Sequence, residues 1–196
     1  RSHVHMYCAS SRAQEKFYQD TGLPTYFVCH HADPRVLKRF RGGNVEPIVK
    51  YIGNVQNTII PNSLEIKTTL SNTSSQSDLS WMNELETPFI YYMIRRWMSF
   101  DGFKPFTKGV LAAHVDSVVI GQANTADNDY YLGDYPYMTS ESPDESEIIE
   151  VINKTVESVK SRDFAFSRAR SIMRCIKDSS TPEVITRQVR EMISLL

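Results

Sequence analysis

The feature that most constrains this chain is the alternation of short runs rich in β-branched and aromatic residues with segments of helical periodicity. The runs Thr25–His30 and Val115–Ile120 have the composition and length of buried strands. Residues 63–71 alternate apolar and polar side chains, which is typical of a strand with one buried face. From Glu147 onward, apolar residues recur at helical spacing. We therefore predict an α+β domain, with a small mixed sheet flanked by helices and a helical C-terminal third.

Several helix boundaries can be located from their end signals. Ser11 is a capping residue for a helix that runs to about residue 20. Asp33 and Pro34 offer a cap and a first-turn proline to a short basic helix. A longer helical region is predicted for residues 78–100, with an interruption at Pro88. The polar segment 72–77 is predicted to be a loop.

Length and composition limit the class of protein. The chain has 196 residues, with 22 Lys and Arg against 23 Asp and Glu, which fits one domain of ordinary size. This balance excludes a uniformly basic nucleic-acid coat and a strongly acidic tail. The cysteines Cys8, Cys29 and Cys175 are odd in number and widely spaced, so neither a disulfide framework nor a zinc module is predicted. We interpret residues 1–6 as a cloning remnant and residues 7–196 as a single domain from a larger protein.

Signals for export or membrane insertion are missing from the sequence. No window reaches the run of about 18 apolar residues that a membrane helix needs. The N-terminus lacks the charged start, apolar run and cleavage site of a secretory signal. We expect an intracellular protein, cytoplasmic or nuclear, with no membrane partner.

Charge is balanced in total but unevenly placed. Between Lys108 and Lys154 the chain has no Lys or Arg, although many Asp and Glu fall there. Basic residues collect in two clusters, and the candidate nucleic-acid contacts are Arg35, Lys38, Arg39 and Arg41 in the first and Arg168, Arg170 and Arg174 in the second. If the clusters converge in space, counterion release would favour a phosphate backbone. The alternative is solvated helix faces together with an acidic surface loop.

One segment carries a catalytic pattern. Residues two apart on a strand share a face, so Glu65 and Lys67 would project into one cleft. A carboxylate there can bind Mg²⁺ or Mn²⁺, while the ammonium helps to position an attacking water. The segment resembles the E-x-K half of the PD-(D/E)xK nuclease superfamily, which includes the viral cap-snatching endonucleases. The resemblance implies a divalent-metal-dependent endonuclease that cleaves or binds nucleic-acid phosphodiesters, with Glu65 and Lys67 as catalytic residues.

The same resemblance implies further metal ligands. The superfamily places an Asp on the preceding strand, yet this chain has no Asp or Glu between Glu46 and Glu65. Three explanations stay open: Asp33 or Glu46 supplies the missing carboxylate, the site is degenerate, or the likeness is accidental. The ligands implied for Mg²⁺ or Mn²⁺ are Glu65, Asp33, Glu46, Glu15 and His30.

A second hypothesis belongs to another functional class. The tyrosines of Tyr130–Tyr137 lie among acidic residues, and exposed tyrosines suit a surface that binds a protein partner. Trp81 and Trp97 are predicted to lie in the core. The alternative function is therefore a non-catalytic interaction or nucleic-acid-binding module of a larger assembly, such as a viral polymerase.

Overall fold

The structure is a computed structural model that describes residues 5–70, 79–96, 101–123 and 126–196. The strands are β1 (Tyr7–Ala9), β2 (Thr25–Phe27), β3 (Val49–Ile52), β4 (Lys67–Thr69), β5 (Ile90–Tyr92), β6 (Val118–Gln122) and β7 (Met138–Thr139). The α-helices are α1 (Arg12–Asp20), α2 (Pro34–Leu37), α3 (Thr107–His114), α4 (Ala126–Leu132), α5 (Glu145–Ser161), α6 (Phe164–Ser179) and α7 (Pro182–Ser194). Short 3-10 helices span Val55–Asn57, Ser80–Leu85 and Asp101–Phe103. The loop predicted for 72–77 and most of the remnant predicted for 1–6 lie outside the described residues.

Strands β3 to β7 form one sheet of five strands in the order β4-β3-β5-β6-β7, and every pairing is parallel. The chain leaves β3 for β4, returns past β3 to β5, and then continues outward to β7. The strand order therefore reverses between β3 and β5. In open α/β sheets, the crevice at the carboxyl ends of such a strand pair is the usual ligand site.

The fold prediction is confirmed in its outline, with one difference in the sheet. A small sheet flanked by helices and a helical C-terminal third are both present. The sheet is parallel rather than mixed, because each connection carries the chain back to the same end before the next strand begins. Helix α3 packs against α6 and β6, and α5 packs against β6 and β7.

The central strand β5 lies where a helix was predicted. All residues from Phe89 to Ile94 are buried, with at most 5% of each side chain exposed. A continuous apolar run satisfies the four-residue spacing of a helix, but it is also the pattern of a parallel strand covered on both faces. The helix prediction for 78–100 is therefore wrong over β5. Trp81 is buried as predicted, while Trp97 lies outside the described residues.

A second, smaller sheet precedes the main one. Strands β1 and β2 pair in parallel, and α1 connects them. Ser11 caps α1 as predicted, because its hydroxyl accepts a hydrogen bond from the Gln14 N–H at 3.1 Å. Helix α1 of this unit contacts α4 in the rest of the chain. The Tyr26 hydroxyl of β2 donates to Glu191 of α7 at 2.7 Å.

The C-terminal helices begin at side-chain caps. The Asp144 carboxylate accepts from the Glu147 N–H at 2.8 Å, and Asp163 accepts from the Phe166 N–H at 2.9 Å. These bonds satisfy N–H groups that have no partner within the helix. Among the described residues, no helix combines the length and apolar character needed to cross a membrane.

Candidate functional site

The predicted catalytic pair lies at the edge strand of the main sheet. Glu65 precedes β4 by two residues, and its side chain is exposed. The Lys67 ammonium lies 2.7 Å from a Glu84 oxygen, and the same oxygen lies 3.2 Å from Lys50 Nζ. Burial opposes ionisation of Glu84, but hydrogen bonds from these two lysines outweigh it and lower the pKa of the carboxyl. Lys67 therefore takes part in a three-member ion cluster that joins β4, β3 and the segment before β5.

The other predicted metal ligands belong to different elements. Glu15 lies on α1 and binds Arg12 at 2.6 Å, whereas Asp33 caps α2 and binds Arg35 at 2.6 Å. Glu46 precedes β3, and His30 follows β2. Within the described ranges, no three His, Cys, Asp or Glu side chains are grouped so that they could hold a metal ion. The Mg²⁺ or Mn²⁺ site and the nuclease centre stay predictions.

The predicted nucleic-acid contacts are largely engaged within the protein. The pairings are Arg35 with Asp33, Arg41 with Glu86, Arg39 with the Asn83 side chain, Arg168 with Asp134, and Arg170 with the Asp116 carbonyl. Lys38 and Arg174 are exposed. Two residues of the cation-free segment therefore contact the second basic cluster, Asp134 through its carboxylate and Asp116 through its backbone carbonyl. Nucleic-acid binding by these residues stays a prediction.

The expectation of an exposed tyrosine surface over Tyr130–Tyr137 is wrong for two of its members. Tyr135 and Tyr137 are 4% and 0% exposed. The Tyr135 hydroxyl accepts from the Val119 N–H at 2.9 Å, which ties this segment to β6. Tyr130 is 55% exposed, but its ring stacks on the Arg12 guanidinium at 4.1 Å. Tyr135 and Tyr137 are buried because the chain forms α4 and then enters the sheet as β7.

A pocket that sequence reasoning missed lies at the carboxyl end of the main sheet. It has a cavity of about 30 Å³. The lining residues are Met93, Arg95, Lys104, Pro105, Phe106, Lys108, Gly109, Asp127 and Asn128. They come from the end of β5, the first turn of α3 and the first turn of α4. The pocket thus brings three cationic side chains to the end of the sheet where parallel folds bind ligands.

Lys108 connects this pocket to the end of β3. Its Nζ lies 3.9 Å from the centroid of the Tyr51 ring. A Cβ added to Gly53 would lie 3.0 Å from the same Nζ, so a side chain there would crowd the amine. The φ of Gly53 is +151°, a value at which a side chain would also be strained. The Lys108 amine therefore reaches the end of β3, next to the point where the strand order reverses, while the other lining residues lie beside the ends of β5 and β6.

The electrostatics of Lys108 are unusual. No acidic side chain in the described part of the chain pairs with it. Burial, followed by the nearby positive charges of Arg95 and Lys104, lowers the pKa of Lys108 to about 7. A negative ligand group would relieve this repulsion, so the pocket favours an anion.

Asp127 also lines the pocket, and its carboxylate accepts hydrogen bonds at the starts of two helices. Its Oδ2 accepts from the Phe106 N–H at 3.1 Å, at the start of α3, and its Oδ1 accepts from the Arg12 N–H at 2.7 Å, at the start of α1. The side chain is 4% exposed, and burial raises the pKa of the carboxyl although both hydrogen bonds oppose that rise. A Cβ on Gly109 would lie 1.9 Å from the Phe106 ring, so this first turn of α3 requires glycine.

Comparison with protein-family models and with curated proteins finds no match to this chain. The site is therefore argued from its geometry. Sequence reasoning missed it because Arg95, Lys108 and Asp127 are far apart in the chain and meet only through the parallel topology. The available signal was local: Lys104 and Lys108 flank a proline at the start of an otherwise apolar helix.

Proposed function

We propose that this protein binds a phosphate-bearing ligand at the carboxyl end of its five-stranded sheet. The observation that carries the proposal is the convergence of Arg95, Lys104 and Lys108 on one pocket in the crevice at the carboxyl end of the parallel sheet, beside β5 and β6. Ligands of open parallel sheets occupy this crevice. The cavity of about 30 Å³ has room for about two water molecules, so only a charged group of the ligand would enter it and the remainder would lie outside.

The first turn of α3 adds to the attraction for an anion. The N-cap residue Phe106 makes no side-chain cap of its own, and in this turn Asp127 accepts only from the Phe106 N–H, so the positive end of the helix dipole still faces the pocket that the first residues of α3 line. Backbone N–H groups and cationic side chains together are the usual means of holding phosphate. A carboxylate-bearing ligand would use one pair of oxygens, whereas phosphate offers oxygens in three directions and matches several converging cations better.

The test is calorimetric titration of the full chain with inorganic pyrophosphate at low ionic strength. We expect saturable binding that weakens about tenfold or more in Lys108→Met and Arg95→Gln, because one charge-assisted hydrogen bond contributes about 1.5–3 kcal/mol. Lys38→Met is the matched control, since Lys38 is exposed and outside the pocket. Equal weakening in all three variants, or no binding by the wild type, would contradict the proposal.

The metal-dependent nuclease implied by Glu65 and Lys67 is a separate prediction that can be tested beside it. It requires Mn²⁺ binding and cleavage of nucleic acid that is lost in Lys67→Ala. The pocket proposal requires pyrophosphate binding that is independent of Lys67. A titration with Mn²⁺ and another with pyrophosphate, on the same two proteins, therefore separate the two hypotheses.

A further inference from the structure

Lys108 has a property that anion binding alone does not use. Its amine lies against the Tyr51 ring, and the pocket around it holds two other cations, Arg95 and Lys104. Within the described ranges no carboxylate pairs with the amine. Burial and the two neighbouring charges hold the pKa of Lys108 at about 7, so a substantial fraction of the amine is neutral at physiological pH. A neutral lysine amine is a nucleophile.

We propose that Lys108 Nζ forms an imine with an aldehyde or ketone group of a phosphate-bearing ligand held in this pocket. The inference rests on the proposed function, because Arg95, Lys104 and the first turn of α3 would hold the phosphate. A lysine that is desolvated and placed beside other cations is the arrangement in which protein amines attack carbonyl carbons. A lysine that only bound phosphate would gain nothing from neutrality in the absence of ligand, because the neutral amine attracts anions less.

The reaction balances without a further reactant. The Nζ lone pair attacks the carbonyl carbon, a C–N bond forms, and the π electrons of the C=O bond move to the oxygen. A proton passes from nitrogen to that oxygen and gives a carbinolamine. Loss of the hydroxyl group with the second nitrogen proton, as water, leaves the C=N bond. No atom changes oxidation state through an external oxidant or reductant.

The geometry also predicts which carbonyl compounds react. The phosphate would lie among the cations, so the carbonyl must be within a few bonds of it to reach Nζ. Small phosphorylated aldehydes and ketones are therefore the expected substrate class.

The experiment uses pyridoxal phosphate as the probe on the full wild-type chain. The imine is trapped with borohydride, and the modified lysines are located by peptide mass mapping. We expect Lys108 to be modified at least tenfold faster than the exposed Lys38, with a half-maximal rate near pH 7. Pyridoxal, which lacks the phosphate, should react at least tenfold more slowly at Lys108, and inorganic pyrophosphate should protect it.

The outcomes separate the two proposals. Modification spread evenly over exposed lysines, with pyrophosphate binding intact, would overturn imine formation and leave the anion site standing. Selective modification of Lys108 that is equal for pyridoxal and pyridoxal phosphate, with no protection by pyrophosphate, would support the nucleophile and contradict the phosphate site. Modification of Lys108 only above pH 9, as for ordinary lysines, would overturn the nucleophilic role.

Discussion

Replacing Lys108 with methionine is expected to stabilise the fold at neutral pH while it weakens the proposed anion binding. Methionine has a similar length and no charge, so it can remain against the Tyr51 ring. The change removes the repulsion between the Lys108 ammonium and the charges of Arg95 and Lys104. It also removes the cost of burying an ammonium group without an acidic partner.

The magnitude follows from the pKa of Lys108, which falls from 10.5 to about 7 on folding. Each unit corresponds to about 1.4 kcal/mol, so the upper limit is about 5 kcal/mol. The side chain is only partly buried, and solvent screening reduces this to on the order of 2 kcal/mol. Between about pH 7 and 10.5 the unfolded chain binds more protons than the folded one, so wild-type stability rises with pH in that window. The advantage of Lys108→Met should therefore shrink toward zero as pH rises.

The assay is urea unfolding of wild type and Lys108→Met across this pH range, with Lys38→Met as the control. We expect the two curves to converge at high pH, while the control stays parallel to the wild type. A variant that is less stable at every pH, or whose difference from the wild type does not change with pH, would refute the electrostatic account. Lys108 would then be a packing residue whose amine is solvated.

Three other substitutions test the architecture around the pocket and the edge strand. Gly109→Ala should cost about 1–3 kcal/mol in chemical unfolding, because its Cβ would lie 1.9 Å from the Phe106 ring; an unchanged midpoint would mean that the ring moves freely. Asp127→Ala should cost about 2–4 kcal/mol, since it leaves two helix-start N–H groups without their acceptor; a thermal melt within 1 °C of wild type would argue against this dual role. Glu84 has a lowered pKa, so its contribution is present above the unfolded pKa and lost as pH falls through the folded value. Glu84→Gln should therefore lower stability at neutral pH and flatten the acid limb of the pH–stability profile, and an unaltered acid limb would contradict the bridging role of Glu84.

Local signals in the sequence predicted local structure well. Ser11 and Asp33 cap the helices they were expected to cap, because a capping side chain acts within its own turn. The sequence does not distinguish β5 from a helix, because the six consecutive apolar residues 89–94 fit both periodicities. Only its place at the centre of a parallel sheet decides between them.

The site could not be predicted in the same way. Glu65 and Lys67 form a motif within three residues, whereas Arg95, Lys104 and Lys108 are separated by up to 13 positions and match no motif, and Asp127 joins the pocket only after the chain has passed through β6. Lys108 appears in the sequence as an ordinary solvated lysine. Its lowered pKa depends first on burial, which the folded structure determines and no local sequence pattern records.

The two hydrogen bonds accepted by Asp127 link the two sheets of the protein. One carboxylate closes the start of α1, which belongs to the smaller sheet, and the start of α3, which lines the pocket of the larger one. The two sheets are therefore joined by hydrogen bonds to one side chain as well as by packing. Binding in the pocket and docking of α1 are therefore thermodynamically coupled. If a ligand in the pocket strengthens the docking of α1 by some free energy, then docking of α1 strengthens binding of the ligand by the same free energy.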